Sequence, residues 1–254
     1  MSLENAIQSV SLTTSNSGRT RRLMGERKRY EESNLASENI FVSFDDNDIT
    51  NLTALIIGPK DTPYEGGFYF FKFNFPERYP FLPPKVKFMT LKPEVRFNPN
   101  LYTCGKVCLS ILGTWAGPGW TSVMTLKTVL LSLQTLLNEN PIQNEPGYEN
   151  VSKTDSQAVN YNTILRYHNI SFAVLEMLLF PPFKDPKFLG IMEEYFYRNY
   201  EKYRDTVKLW KSEVNDTDNK KPQIKSIYGM GLKPDYDQLL MKLEDMYKII
   251  CDKR

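Results

Sequence analysis

The sequence predicts an α+β fold, in which a small antiparallel sheet is followed by helices. Three observations support this prediction: a period-two pattern across residues 39–75, a 3.6-residue apolar stripe across residues 126–137, and a helix-forming composition after residue 151. The chain has 254 residues, 41% of them hydrophobic, which is enough to bury a sizeable core. We therefore expect a sheet-containing core domain followed by a helical extension.

The N-terminal segment predicts a tail and then a helix. Residues 1–18 are rich in Ser, Thr and Asn and have no periodicity, so we expect a disordered tail. They lack the charged and apolar regions of a signal peptide. Residues 20–32 are dense in charge and contain few helix breakers, which indicates a solvent-exposed helix.

Four strands are predicted next, at residues 39–44, 49–57, 67–75 and 86–89. Because no helical pattern lies between them, we expect an antiparallel meander. Side chains alternate between the two faces of a strand, so one face of the third strand is the stronger candidate for the core. Its members are Tyr69, Phe71, Phe73 and Phe75.

A long irregular passage separates the last strand from an amphipathic helix that Thr125 caps and that ends before Pro141. Further helices are predicted at about 156–180, 187–212 and 235–251, with a polar loop at 212–226. We expect the aromatic residues of this extension to bury against the core: Phe172, Phe180, Phe183, Tyr195, Phe196 and Tyr197.

The composition argues against several functional classes. The formal net charge is only +2, so no strong single-sign field suggests a nucleic-acid substrate. The sequence contains no run of about 18 apolar residues, so we expect no membrane span. Three cysteines are too few for a disulfide scaffold. We therefore expect a protein of the reducing cytosol and nucleus.

Cys108 is the main candidate for chemistry, and its residue type permits several roles. A zinc site would require Cys104, Cys108, Cys251 and the only histidine, His168, to converge. A cysteine hydrolase would need His168 as its base. A buried core cysteine is the simplest interpretation of composition and periodicity alone. Thioester exchange needs no histidine, but it requires an accessible sulfur and an oxyanion donor, for which Asn100 is a candidate.

Four motifs in order carry a resemblance to a known family. Residues 58–67 are GPKDTPYEGG, residues 75–86 are FPERYPFLPPKV, residues 98–100 are NPN, and residues 105–112 are GKVCLSIL. Trp120 and the helix at 126–137 follow. Over residues 18–150 the chain resembles the ubiquitin-conjugating enzymes, which implies the UBC-like fold with its active-site loop. The LGTWAGPGW insert at 112–120 and the long extension are similar to the family's large Z-type branch.

The resemblance implies a mechanism and a set of partners. Cys108 would accept ubiquitin, or a ubiquitin-like modifier, from the thioester on an activating enzyme and pass it to a substrate lysine or to a ligase. Asn100 would stabilise the oxyanion or support the active-site loop. No metal and no bound cofactor is implied, and neither nucleic acid nor membrane is an expected partner. In the Z-type branch the activating enzyme would be the less common of two ubiquitin activators.

Supporting and partner-binding roles also follow from the resemblance. Asn98 stands in place of the family's histidine and is expected to hold a backbone group. The residue that positions the attacking lysine falls near Asn144 or Glu145. Phe81, with the loop that begins at Trp120, would face a ligase.

The basic N-terminal helix has two interpretations. The resemblance implies docking on the activating enzyme through Arg21, Arg22 and Lys28, whereas a solvated surface is the plain alternative. Cys104 is either a resolving thiol or an ordinary loop residue. No role is assigned to His168.

We divide the chain into a tail at 1–18, a core domain at 19–150 and an extension at 151–254. A non-catalytic module that binds ubiquitin or a ligase is the rival to the enzyme, and the presence of Cys108 favours the enzyme.

Overall fold

The computed structural model describes residues 18–213 and 223–254. The predicted tail therefore lies outside the described residues, except for Gly18, which is helical. None of the helices in the described ranges combines the length and the apolar character needed to cross a bilayer.

Helix α1 covers residues 18–31 of the described chain and leads into the sheet. The strands are β1 (Ile40–Phe44), β2 (Asn51–Ile57), β3 (Phe68–Asn74) and β4 (Lys85–Phe88). They pair antiparallel in chain order, as the meander prediction requires. The observed bounds lie within two residues of the predicted ones, and the C-terminal ends of β1 and β2 match.

Helix α2 (Leu126–Leu136) contributes one apolar face to the core, formed by Leu126, Val129, Leu130, Leu133 and Leu136. Its first turn is capped as predicted, because the Thr125 hydroxyl accepts from the Thr128 amide at 3.3 Å. The Thr128 hydroxyl in turn accepts from the Thr125 amide, which completes a capping box.

The described part of the extension is mostly helical. It comprises α3 (Ser156–His168), α4 (Leu175–Leu179), α5 (Pro186–Glu213) and α6 (Tyr236–Asp252). A π-helical turn at Asn169–Val174 joins α3 to α4, so the predicted helix at 156–180 is nearly continuous. Helices α5 and α6 pack on each other through stacked rings such as Tyr200 and Tyr247, whose centroids are 4.0 Å apart.

The predicted polar loop at 212–226 lies mostly outside the described residues. Its last part is not a loop, since β5 (Ile224–Lys225) pairs with β6 (Gly231–Leu232) in a short hairpin. These strands are too short to carry a periodic signal, so the sequence pattern missed them.

The extension covers the face of β3 that was expected to be less buried. Phe68 and Phe70 are fully buried, and Phe70 meets Phe188 of α5 with a centroid distance of 5.8 Å. Lys72, on the same face, stays exposed. The predicted core face is buried as expected, since Tyr69, Phe71, Phe73 and Phe75 are at most 2% exposed, and α5 also buries the first half of the opposite face.

The aromatic residues of the extension divide between buried and exposed positions. Phe172 and Phe196 are buried, and Phe183 and Tyr195 are partly buried against the core. Phe180 and Tyr197 are exposed, so the expectation of burial fails for them. Phe180 ends α4, where the chain turns away from the core towards α5.

The turn between β2 and β3 is fixed to the extension. Asn169 donates to the Glu65 carbonyl at 2.8 Å and accepts from the Tyr69 hydroxyl at 2.6 Å. A Cβ on Gly67 would lie 1.9 Å from Asn169 Oδ1, so only glycine permits this approach. The core and the extension are thus joined by buried polar contacts as well as by apolar packing.

Candidate active site

The passage after β4 is held by isolated bridges between its own segments. Asn98 pairs with Leu101, and Leu101 pairs with Val107. These bridges place the backbones of Asn100 and Cys108 side by side, so the Cys108 amide donates to the Asn100 carbonyl at 2.9 Å. Two segments that are eight residues apart therefore form one rigid loop pair.

Asn98 is fully buried and organises this loop. Its Nδ2 donates to the Leu136 carbonyl at 2.7 Å and to the Tyr64 hydroxyl at 3.0 Å. Its Oδ1 accepts from the Asn100 amide at 2.9 Å. Asn98 thus holds backbone groups from the loop and from the end of α2, which is the kind of role expected for it.

Asn100 is aimed at the cysteine segment rather than at open space. Its Nδ2 donates to the Cys108 carbonyl at 2.8 Å. Its Oδ1 is buried without a hydrogen-bond partner among the described residues. Of the two roles considered for Asn100, this geometry directly provides loop support.

Cys108 is less accessible than the sequence analysis required. The residue is only 1% exposed, whereas an accessible sulfur was expected. Its backbone amide is hydrogen-bonded to the Asn100 carbonyl. The turn that follows folds back, so that the Thr114 hydroxyl donates to the Val107 carbonyl at 2.7 Å. Acyl transfer to this sulfur would therefore require a local movement of its surroundings.

Asn144 and Glu145 take different positions. Asn144 Nδ2 lies 3.4 Å from both Asn98 Oδ1 and the Leu136 carbonyl, so it extends the support network. The half-buried Glu145 carboxylate instead accepts from the Tyr228 hydroxyl at 2.5 Å. Glu145 is therefore the better candidate for contact with an incoming group.

The expected ligase face combines one exposed and one anchored aromatic residue. Phe81 is 74% exposed, and Val123 in the neighbouring loop is also exposed. Trp120 is half-buried, and its Nε1 donates to the Pro80 carbonyl at 2.7 Å. Trp120 thus fixes the loop that presents Phe81.

Helix α1 presents fewer free cations than its sequence suggests. Arg21 and Lys28 are exposed, and Lys28 lies 3.7 Å from Glu32. Arg22, in contrast, donates to the Met124 carbonyl and to Glu26, both at 2.7 Å. Its guanidinium is engaged in joining α1 to the start of α2, which counts against the expected docking role.

Comparison with known proteins places the chain in a family. A family model described as ubiquitin-conjugating enzyme matches residues 22–169, which is more than half of the chain. The chain belongs to the ubiquitin-conjugating enzyme family. The observed α+β architecture is the UBC-like fold that the motif resemblance implied.

Two curated relatives and one solved structure show what this ubiquitin-conjugating enzyme family member is similar to. Ubiquitin-conjugating enzyme E2 Z of Xenopus tropicalis is 47% identical over 170 residues, covering 66% of this chain and 54% of the relative. The Homo sapiens E2 Z is 48% identical over 166 residues, covering 65% and 46%. A solved E2 domain of a Toxoplasma gondii ubiquitin conjugating enzyme gives a TM-score of 0.48 at 27% identity, covering 61% of this chain and 99% of that one. The chain spans about half the length of the curated relatives it matches.

Two site residues of this ubiquitin-conjugating enzyme family member were missed by the sequence analysis. Glu26 is buried and accepts from the Tyr79 hydroxyl at 2.9 Å and from the Leu126 amide at 3.1 Å. Its position on the Leu23 face of α1 is a signal that helical spacing contained. Arg96 lies between the rings of Tyr102 and Tyr228, at 3.8 Å and 4.2 Å from their centroids.

The other thiols and the histidine do not gather around Cys108. Cys104 and Cys251 are exposed and free. His168 is half-buried at the end of α3, and its Nδ1 has no hydrogen-bond partner among the described residues. Burial, together with the charge of Lys92, lowers the pKa of His168 to about 4. Within the described ranges, no group of three or more His, Cys, Asp or Glu side chains is arranged to hold a metal ion.

Proposed function

We propose that this chain carries ubiquitin, or a ubiquitin-like modifier, as a thioester on Cys108 and transfers it onward. The proposal is supported by one observation above all. In a member of the ubiquitin-conjugating enzyme family, Asn98, Asn100 and Cys108 form one buried hydrogen-bonded unit. Asn100 holds the Cys108 carbonyl directly, and Asn98 holds the Asn100 amide, so the cysteine segment is fixed by a polar network rather than by apolar packing alone.

Charging is an exchange between two thioesters. The Cys108 thiolate attacks the carbonyl carbon of the modifier on the activating enzyme, a new C–S bond forms, and the old C–S bond breaks. The proton lost by Cys108 balances the thiolate released from the activating enzyme. Because both sides contain one thioester and one thiol, the exchange is nearly balanced and needs no strong base.

Discharge to lysine proceeds by aminolysis. The lysine Nζ lone pair attacks the thioester carbonyl, a C–N bond forms, and Cys108 leaves as a thiolate that the released amine proton neutralises. The negative charge that develops on the carbonyl oxygen needs donors close to the Cys108 segment. Asn100 keeps that segment in place, and its second amide hydrogen is a candidate donor once the loop opens around the modifier.

The partners follow from the same proposal. An activating enzyme docks on α1, where Arg21 and Lys28 are exposed and an acidic surface would be attracted. A ligase meets exposed Phe81 and the loop fixed by Trp120. Protein lysines are the final acceptors. Free thiols at Cys104, Cys108 and Cys251 suit the reducing cytosol and nucleus.

A charging assay tests the proposal. The protein is incubated with ATP, ubiquitin and each ubiquitin-activating enzyme in turn, and the products are separated on non-reducing gels. We expect an adduct that a thiol reductant removes. Cys108→Ala should abolish the adduct, whereas Cys104→Ala, which alters an exposed thiol four positions away, should retain it. If neither activating enzyme charges the wild type with ubiquitin or a ubiquitin-like modifier, the rival binding module is the better account.

A further inference from the structure

The hairpin β5–β6 extends from the helical extension to the region of the active-site loop. Its turn includes Tyr228, and the Ser226 amide donates to the Met230 carbonyl at 2.9 Å across the hairpin. From α3, Asn160 Nδ2 donates to the Lys225 carbonyl at 3.1 Å. The two strands of the hairpin are thus hydrogen-bonded to each other and, through β5, to α3.

Tyr228 contacts both sides of the loop that supports Cys108. Its hydroxyl donates to Glu145, which follows the support residue Asn144. Its ring lies beneath the guanidinium of Arg96, and Arg96 Nη2 donates to the Pro99 carbonyl at 2.5 Å. One side chain of the extension therefore connects the Asn-Pro-Asn loop to Glu145.

The backbone of Tyr228 is strained. Its φ and ψ are 60° and 18°, in the left-handed region, and it is followed by Gly229 at φ 69°. Bulky L-residues avoid this region because the side chain crowds the adjoining backbone. Tyr228 is also 37% exposed, so deep burial does not account for its conformation. Strain of this kind persists where surrounding contacts demand it, and it concentrates at functional sites.

In the Tyr228–Glu145 pair, the hydroxyl is the hydrogen-bond donor and the carboxylate is the acceptor. Burial and the neighbouring Glu145 carboxylate raise the pKa of Tyr228, so the hydroxyl keeps its proton at neutral pH and acts as a donor. The Glu145 carboxylate can only accept when ionised. One of its oxygens is occupied by Tyr228, which leaves the other to meet a cationic or N–H donor.

We propose that Tyr228 is a positioning residue for lysine attack, holding the Glu145 carboxylate so that it can receive the acceptor amine that attacks the Cys108 thioester. This inference rests on the proposed function. It assigns the extension a part in acceptor selection, because amines need the carboxylate and thiols do not. Aminolysis forms the C–N bond and releases the Cys108 thiol, as described above, and Tyr228 exchanges no proton in that step.

Single-turnover discharge of the purified Cys108 thioester tests this role. Tyr228→Phe keeps the ring beneath Arg96 and removes only the hydroxyl. We expect lysine discharge to slow by about tenfold, the usual loss for one hydrogen bond to a charged group. Discharge to a small thiol, 2-mercaptoethanesulfonate, should keep the wild-type rate. Glu145→Gln should slow lysine discharge similarly, and adding Tyr228→Phe to it should have no further effect.

Tyr236→Phe is the matched control, since it removes a phenol of the extension that makes no such contact with Glu145. Equal slowing of thiol and lysine discharge by Tyr228→Phe would indicate a structural role only and overturn the inference. So would unchanged lysine discharge, or additive effects of the two substitutions. If the wild type cannot be charged at all, the proposed function itself fails, and the inference fails with it.

Discussion

At the scale of single residues, the site depends on side-chain amides rather than on acid–base pairs. Asn98 donates and accepts at once, so it holds two segments that an apolar residue could not join. Asn100 then fixes the carbonyl of the proposed nucleophile. The sequence could predict these positions because motif order carries them. It could not predict that Cys108 would be 1% exposed, since burial depends on how the following turn folds back.

Removal of the Asn100 amide should affect discharge more than charging. Asn100→Ala frees the Cys108 carbonyl and takes away a candidate oxyanion donor, so we expect lysine discharge to fall at least about tenfold. Charging should fall less, and the ratio of the two rates in single-turnover assays measures the difference. Asn162→Ala is the control, because Asn162 is also 7% exposed and also donates to a carbonyl, that of Glu139. Wild-type discharge by Asn100→Ala would remove this residue from the mechanism.

His168 should make the fold sensitive to mild acid. Its pKa of about 4 lies below the value of about 6.5 in the unfolded chain, so the unfolded state takes up the proton first as pH falls. Above pH 6.5 His168 is neutral in both the folded and the unfolded state, so its titration does not lower the free energy of unfolding. Between about pH 6.5 and pH 4 the wild type should lose about 1 kcal/mol relative to His168→Gln, after allowance for partial exposure. Urea unfolding at pH 7 and pH 5 measures this, and parallel losses in both proteins would contradict it.

At the scale of elements, α1 and α2 are joined through a buried carboxylate. Glu26 accepts from the first amide of α2, from Tyr79 on the loop that carries Phe81, and from Arg22 on its own helix. This position accounts for a charged residue that is 3% exposed in the core. Helix α1, which we propose as a docking surface, therefore also fixes the N-terminal end of α2.

Loss of this carboxylate should be costly. Glu26→Ala leaves the Leu126 amide, the Tyr79 hydroxyl and the Arg22 guanidinium without it, so we expect a loss of about 3 kcal/mol in the free energy of unfolding. Glu31→Ala removes the exposed partner of Arg27 on the same helix and should cost less than about 0.5 kcal/mol. Chemical denaturation of the two variants provides the comparison. Equal, small losses would show that Glu26 is not structurally important.

The elements also show where sequence analysis works and where it fails. Hydrophobic periodicity located the four strands and α2 because one face of each repeats at a fixed interval. It identified the core face of β3 but not the burial of Phe70 on the opposite face, since a periodic pattern does not report a second layer such as α5. It failed for β5 and β6 because two-residue strands have no period. The sequence did not indicate the intramolecular partner of Arg22, because charge alone does not reveal a carbonyl that is 102 positions away.

At the scale of the whole molecule, the core and the extension form one packed unit. Buried apolar residues of both, within the described ranges, belong to a single continuous cluster. Asn169 and Tyr203 hold the turn between β2 and β3, and Tyr161 donates to the Arg96 carbonyl at 2.8 Å. The family match at residues 22–169 runs past the boundary at 150 that the sequence analysis drew between them. The site loop is thus supported from within the core and from the extension.

Damage to the extension should therefore destabilise the entire fold. Phe188 is fully buried against Phe70, so Phe188→Ala should cost about 3–5 kcal/mol. Unfolding followed by circular dichroism and by tryptophan fluorescence should show one shared transition at lower denaturant. The fluorescence reports Trp115 and Trp120 in the core domain and Trp210 in α5. Phe180→Ala is the control, because Phe180 is 75% exposed and should change little. Two separate transitions in the wild type would contradict a single unit.

The covered face of β3 also has a consequence for how relatives can be recombined. Phe68 and Phe70 meet Tyr195 and Phe188 edge to ring, so their shapes are set by residues more than a hundred positions away. A chimaera that joins this sheet to a foreign tail would expose large rings to water or force them against mismatched neighbours. Substitutions in the sheet and in the helical extension should accordingly co-vary among relatives.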